Sequence, residues 1–330
     1  MTPLQIISSL RTLLSIRQPV FIWGAPGVGK SQVVAETAHS MGYALKDIRA
    51  ILLDPVDLRG IPRITPQGGT QWCPPSFLPG PGDAGQGILF LDELNAAPPL
   101  VQAACYQLIL DRRIGEYELP AGWVVVAAGN RESDRAVTHR MPTALSNRMV
   151  HLEFETCLDD WLRWAVGAGI RAEVRAFLQF RPSLLHDFDP RSASRAFASP
   201  RSWSFVSSML DADPAGDVEY DLFRGAVGDG AAAEFMGFLQ VWRSLPSVDG
   251  ILAAPLEAAV PSEPAALYAV SEALAARASW SNMPSVAAYM ERLPVEFGVL
   301  CMRQAVCRER SLVESPAFAA WAQNHADVLV

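Results

Sequence analysis

The sequence predicts an α/β fold, in which a parallel sheet lies between helices, followed by an all-helical region. Three observations predict it. Short apolar runs typical of buried strands occur at residues 19–23, 88–91, 124–128 and 149–154. Apolar residues at helical spacing precede or separate them at residues 4–15, 31–42 and 98–111. From about residue 157 onward, only helical patterns continue. Buried strands alternating with helices are typical of parallel sheets with crossover helices. We therefore expect an αβα domain at 1–156 and a helical region at 157–330.

The composition narrows the classes of function. The net charge of −8 gives the chain no overall attraction to nucleic-acid phosphates, so we do not expect a nucleic-acid partner. The five cysteines are scattered and form no C-x-x-C pair, which argues against a disulfide framework or a zinc site. No apolar run is long enough to cross a bilayer, and no signal peptide is apparent at the N-terminus. We therefore expect a cytoplasmic protein without membrane contact.

A glycine-rich segment with a lysine lies between the first strand and the next helix. It runs from Gly24 to Ser31 and fits the phosphate-loop pattern of Gly, four residues, Gly-Lys and Ser or Thr. Glycines let backbone N–H groups turn toward phosphates, and a lysine and a serine at these positions serve the phosphates and Mg²⁺. Lys30 is one of only two lysines, with Lys46. The predicted ATP-binding residues are Gly24, Ala25, Pro26, Gly27, Val28, Gly29, Lys30, Ser31 and Gln32.

Acidic and amide side chains follow two later strands. Asp92 and Glu93 directly follow the run at 88–91, which places them at the sheet edge where open α/β folds bind ligands. We predict that Ser31 and Asp92 hold Mg²⁺, while Glu93 orients and deprotonates the attacking water. Asn130 follows the run at 124–128 and is positioned to bind that water or the γ-phosphate. Asn after Gly is also a common turn pair, so this role depends on the other motifs.

Four segments downstream of the phosphate loop resemble the MoxR-like AAA+ ATPases. They are the segment at 89–113 with its Walker B acids, the sensor-1 strand ending at Asn130, the segment at 142–149, and Ser199-Pro200-Arg201. The resemblance covers residues 15–210 in the order of the family. It departs from the family pattern at Arg131, where proline is common, and at Met149, where phenylalanine is common. It implies an AAA+ sandwich with a helical lid and extra C-terminal helices.

The resemblance also implies roles for two arginines and a mode of action. Arg148 would reach the γ-phosphate of a neighbouring subunit, with Arg135 and Arg140 as competing candidates, and Arg201 would contact phosphates from the lid. The protein would form a ring, expected to be a hexamer. Its ATP hydrolysis would remodel or activate a protein client, with a von Willebrand factor A domain protein as the expected type.

Two insertions are typical of this clade, and residues 57–80 and 113–122 could supply them. Trp72 and Phe77 are expected to be exposed there and to touch a client, although both segments could equally pack on their own domain. Two other functions stay open: a DNA-acting motor or loader, against which the acidic charge argues, and a non-hydrolysing nucleotide switch, against which Asp92 and Glu93 argue.

Overall fold

The computed structural model describes residues 1–134, 139, 141 and 143–326, with only the backbone described at 144 and 145. The chain divides into two compact units. The first comprises Met1–Cys157 together with Asp189–Ser192, and the second comprises Leu158–Phe188 together with Ala193–Val330. In the described part of the chain, no helix is long and apolar enough to cross a bilayer.

The first unit alternates strands and helices. Its strands are β1 Val20–Trp23, β2 Ala44–Arg49, β3 Ile61–Ile64, β4 Thr70–Cys73, β5 Gly87–Asp92, β6 Arg113–Ile114, β7 Tyr117–Glu118, β8 Trp123–Gly129 and β9 Val150–Glu153. Its helices are α1 Pro3–Ser15, α2 Lys30–Met41, α3 Pro55–Arg59, α4 Pro99–Asp111 and α5 Thr143–Ser146.

Five of the described strands form one parallel sheet in the order β2-β5-β8-β1-β9. β5 and β8 are buried along nearly their whole lengths, which explains why their sequences are continuous apolar runs. The predicted α/β fold is therefore confirmed. Trp23 pairs with Gly129, and Leu91 pairs with Ala127, so the carboxyl ends of β1, β8 and β5 lie side by side.

The segment at 54–87, which is rich in proline and glycine, contains regular structure. Helix α3 is followed by the antiparallel hairpin β3–β4, whose β3 strand is exposed along its length. Strand β2 was also missed, because its sequence ALKDIR mixes charged and apolar residues and its described residues are mostly partly exposed. An edge strand of this kind lacks the apolar run that identifies a central one.

The expected exposure of Trp72 and Phe77 is wrong. Both are half-buried: the guanidinium of Arg59 lies 4.4 Å from the ring centroid of Trp72, and Phe77 packs against the core beneath the sheet. The β6–β7 hairpin contacts the first hairpin, since the backbone N–H of Trp72 donates to Glu116 Oε2 at 3.3 Å. These two aromatic side chains therefore pack on their own unit.

The second unit is helical throughout its described residues, as predicted. Its helices are α6 Leu158–Gly167, α7 Ala172–Phe180, α8 Pro200–Asp211, α9 Gly216–Val227, α10 Asp229–Arg243, α11 Val248–Ala253, α12 Pro264–Arg277, α13 Met283–Met290, α14 Val295–Arg308 and α15 Pro316–Asn324. Phe177 packs against Trp203 and Phe235, with ring centroids 5.3 and 5.1 Å away. These large apolar side chains give the unit its own core.

Candidate functional site

The phosphate loop connects the end of β1 to the start of α2. Gly27 and Gly29 have φ angles of 77° and 103°, in the left-handed region that favours glycine. Gly24 is packed tightly, because a Cβ added there would lie 3.1 Å from Cβ of Phe154. Helix α2 begins directly after Gly29, and a first helical turn leaves N–H groups without intrahelical partners. The loop can therefore direct backbone N–H groups and a helix N-terminus toward an anion.

Lys30 folds back over this loop. Its Nζ donates to the carbonyl oxygens of Gly24 and Ala25 at 2.7 and 3.1 Å, and to Oδ1 of Asn130 at 3.0 Å. Asn130 directly follows β8, which pairs with β1 in the sheet. The parallel register thus brings the lysine and the amide together, although 100 positions separate them in sequence.

Ser31 and Asp92 meet at the same edge. The hydroxyl of Ser31 donates to Oδ2 of Asp92 at 2.9 Å, and Oδ1 of Asp92 accepts from the backbone N–H of Glu93 at 3.0 Å. A hydroxyl and a carboxylate are oxygen ligands of the kind that Mg²⁺ prefers. The described residues contain no cluster of three or more His, Cys, Asp or Glu side chains that could hold a metal ion by themselves. Ser31 and Asp92 therefore suit an ion that takes most of its ligands from water and phosphate.

Glu93 has an unusual backbone conformation. Its φ of 55° and ψ of 33° lie in the left-handed region, where a residue with a Cβ is disfavoured by about 1 kcal/mol. The residue is half-buried and follows the fully buried part of β5. Strain of this kind is often retained where a side chain must be presented from a fixed position.

Comparison with known families identifies the segment that carries this geometry. Residues 19–149 match the model of the AAA domain (dynein-related subfamily). This segment is an AAA domain. The AAA part of the predicted resemblance is therefore confirmed, while the MoxR-like assignment stays a prediction.

Comparisons over the whole chain give distant likenesses to two solved structures. No curated protein matches the chain. NtrX from Brucella abortus in complex with ADP is 15% identical with a TM-score of 0.43, covering 99% of this chain and 68% of that chain. The RuvB Holliday junction branch migration motor of Thermotoga maritima is 17% identical with a TM-score of 0.37, covering 82% of this chain and 80% of that chain.

Arg148 is not among the residues joined by the contacts of Lys30 with Asn130 and of Ser31 with Asp92. In the AAA domain, Arg148 is exposed, and its carbonyl oxygen accepts from Nε2 of Gln18 at 3.3 Å. The competing candidates Arg135 and Arg140 fall outside the described residues.

Arg201 belongs to the second unit, where it lies exposed in the first turn of α8. Ser199 is the N-cap of this helix and Pro200 is its first residue. A cation in a first helical turn gains nothing from the helix dipole, so the position of Arg201 is not explained by the stability of α8.

The remaining loop residues have unequal exposure. Ala25 and Val28 are buried, Pro26 and Gly27 are half-buried, and Gln32 is exposed on α2. The sequence predicted all of them as nucleotide contacts.

The structure adds two groups that sequence reasoning missed. Asp47 and Arg49 lie on β2, and Arg49 pairs in register with Asp92. Burial, and secondly the negative charge of Asp92, raise the pKa of Asp47, while Arg49 acts in the opposite direction. The second group is Asn95, which is buried and hydrogen-bonded to Asn130. Had β2 been recognised as a strand, Asp47 and Arg49 would have been predicted near Asp92, because neighbouring parallel strands end at the same edge of the sheet.

Proposed function

We propose that this protein is an ATPase whose AAA domain binds ATP with Mg²⁺ and hydrolyses the γ-phosphate bond. The observation that carries the proposal is the convergence of two contacts at one sheet edge: Lys30 with Asn130, and Ser31 with Asp92. A cation, a polar amide, a hydroxyl and a carboxylate are the groups that phosphoryl transfer requires beside a glycine-rich loop.

Binding would come from the phosphate loop. Backbone N–H groups of the loop and the first turn of α2 would donate to phosphate oxygens, and Lys30 would exchange its carbonyl contacts for the β- and γ-phosphates. Asn130 already touches Nζ of Lys30, so its amide lies within reach of the group that the lysine binds. Loss of the γ-phosphate would therefore change the partners of both side chains.

The acids would divide two tasks. Ser31 and Asp92 would hold Mg²⁺, which when bound supplies charge neutralisation for the phosphates. Glu93 would accept a proton from the attacking water, because its carboxylate follows Asp92 at the same strand end. Its strained backbone is consistent with a side chain held for that task.

We further propose that the chain works as a MoxR-like ring, expected to be a hexamer. Arg148 is exposed, as a residue that enters a neighbouring site must be, and Arg201 would contact phosphates from the helical unit. The client would be a protein, expected to carry a von Willebrand factor A domain, and the ring would act in the cytoplasm. The net charge of −8 disfavours the DNA-acting alternative.

Phosphate release from mixed subunits tests the shared site. We expect Glu93→Gln to retain ATP affinity and to lose turnover by about 100-fold or more, and Arg148→Ala to lose turnover as well. In an equal mixture, roughly a quarter of the interfaces pair an intact Glu93 with an intact Arg148, so turnover should recover in part. Mixing Arg148→Ala with the double variant Glu93→Gln/Arg148→Ala provides no intact arginine and is the matched control.

Three outcomes would contradict parts of the proposal. Near-normal turnover of Glu93→Gln would remove Glu93 from the reaction. An equal lack of rescue in the test mixture and in the control would mean that Arg148 does not act across an interface. A wild-type protein that binds ATP without releasing phosphate would instead be a nucleotide switch.

A further inference from the structure

Asn95 is a buried polar residue to which the sequence assigns no task. Its exposed fraction is 2%, and it lies in the short 3-10 turn Leu94–Ala96 that directly follows Asp92 and Glu93. Its side-chain Nδ2 donates to the carbonyl oxygen of Asn130 at 2.7 Å. One hydrogen bond therefore joins the turn after β5 to the residue that follows β8.

A side chain of helix α4 also holds the backbone of Asn95. Nε2 of Gln102 donates to the carbonyl oxygens of Asn95 and Ala97, at 3.3 and 2.8 Å. The hydroxyl of Tyr106 donates in turn to Oε1 of Gln102. Burial raises the pKa of Tyr106 to about 12, so this hydroxyl keeps its proton at neutral pH. The backbone of Asn95 is thus held by α4 independently of the contact between Asn95 and Asn130.

The other end of the Asn95 amide lies against Gly129. A Cβ built on Gly129 would lie 2.1 Å from Oδ1 of Asn95, so only glycine admits the amide in this position. No described residue donates a hydrogen bond to that Oδ1. An unsatisfied buried acceptor is unfavourable, and an apolar side chain of similar size would avoid it. The packing of the core alone therefore does not account for an asparagine here.

We propose that Asn95 is a positioning residue for ATP hydrolysis, acting by holding Asn130 in place. Asn95 binds the backbone of Asn130, and the side chain of Asn130 contacts Nζ of Lys30. Without Asn95, the amide of Asn130 is free to shift relative to the lysine, and a displacement of about 1 Å can slow catalysis by about 100-fold. This inference depends on the proposed ATPase function.

Kinetics of Asn95→Leu in the full chain test the inference, with Asn95→Ala as a second variant should the leucine disturb folding. We expect kcat to fall by about tenfold or more while the ATP dissociation constant changes by less than about threefold. In a double-mutant cycle, adding Asn95→Leu to Asn130→Ala should lower kcat no further, because both changes remove the same placement of the Asn130 amide beside Lys30. Thr37→Val is the matched control, because Thr37 is fully buried and its hydroxyl donates to Val33 within α2.

Several outcomes would overturn the inference. A kcat within about twofold of wild type in either folded variant would do so, as would losses that multiply in the cycle. If Thr37→Val lost as much thermal stability and as much kcat as Asn95→Leu, the effect of Asn95 on kcat would be explained by its contribution to stability. If wild type itself releases no phosphate, the proposed function fails; if wild type turns over and Asn95→Leu matches it, only this inference fails.

Discussion

Lys30 and Lys46 are the two lysines in a chain whose other long basic side chains are arginines, and their surroundings differ. Lys30 contacts two carbonyls of its own loop and the amide of Asn130. Lys46 forms an ion pair with Asp83 at 2.8 Å and donates to the carbonyls of Ser76 and Leu78. The carbonyl and amide contacts of Lys30 are of a kind that a phosphate can replace, whereas Lys46 holds a carboxylate.

Asp47 provides a prediction about pH at the residue scale. Its pKa is raised above 3.8 by burial and by Asp92, so folding disfavours the charged carboxylate. The group therefore lowers stability progressively as the pH rises from 3.8 to its folded pKa, and the full effect is present above that pKa. Below 3.8 both states are protonated and the effect is absent. We expect Asp47→Asn to raise the melting temperature at pH 7 by on the order of 1 °C, since solvent screens a partly exposed group.

Thermal melts of wild type and Asp47→Asn at several pH values check this prediction. The difference between the two proteins should shrink as the pH falls toward 3.8. Glu36→Gln, at an exposed position of α2, controls for a change of net charge. A difference that grows toward low pH would contradict the assigned direction of the shift.

At the scale of elements, Lys46 joins β2 to the segment that leads into β5. One ammonium group satisfies Ser76, Leu78 and Asp83, and Asp83 also accepts from the backbone N–H of Gly80. Hydrogen bonding to Lys46 lowers the pKa of Asp83, so this stabilisation is present above the ordinary pKa of 3.8 and is lost as the pH falls through the lowered value.

We expect Lys46→Met to loosen the segment at 76–83 while the sheet stays folded. Its amides should exchange hydrogen faster at pH 7, because three acceptors lose one shared donor. Hydrogen exchange read by mass spectrometry checks this expectation, with Arg113→Met, which removes an exposed partner of Glu118, as the control. Unchanged exchange at 76–83 would show that the segment is held by its packing alone.

The elements differ in how far their sequences predict them. Strands β5 and β8 are buried on both faces and read as apolar runs, and the phosphate loop has its own pattern, so both were predictable. Strand β2 was not, because residues such as Lys46 and Asp47 interrupt its apolar positions. The hairpin β3–β4 was missed for a related reason: its β3 strand buries nothing that would leave an apolar pattern.

At the scale of the whole molecule, strand order builds the site. β8 lies between β1 and β5, so residues 24–31, 92–93 and 130 meet at one edge. The motifs in the sequence predicted that these residues would meet, but contacts such as Asn95 with Asn130 depend on the register between strands and on one glycine. No motif encodes such a contact.

Titration with ATP and Mg²⁺ under non-turnover conditions, comparing Lys30→Met with Lys46→Met, tests the central claim most directly. Both changes remove a lysine whose Nζ contacts backbone carbonyls, so their general effects are matched. We expect Lys30→Met to weaken ATP binding by about tenfold or more, because a charge-assisted contact to phosphate is lost, and Lys46→Met to bind within about threefold of wild type. Equal affinities in the two variants would contradict the assignment of the phosphate site to the loop at 24–31.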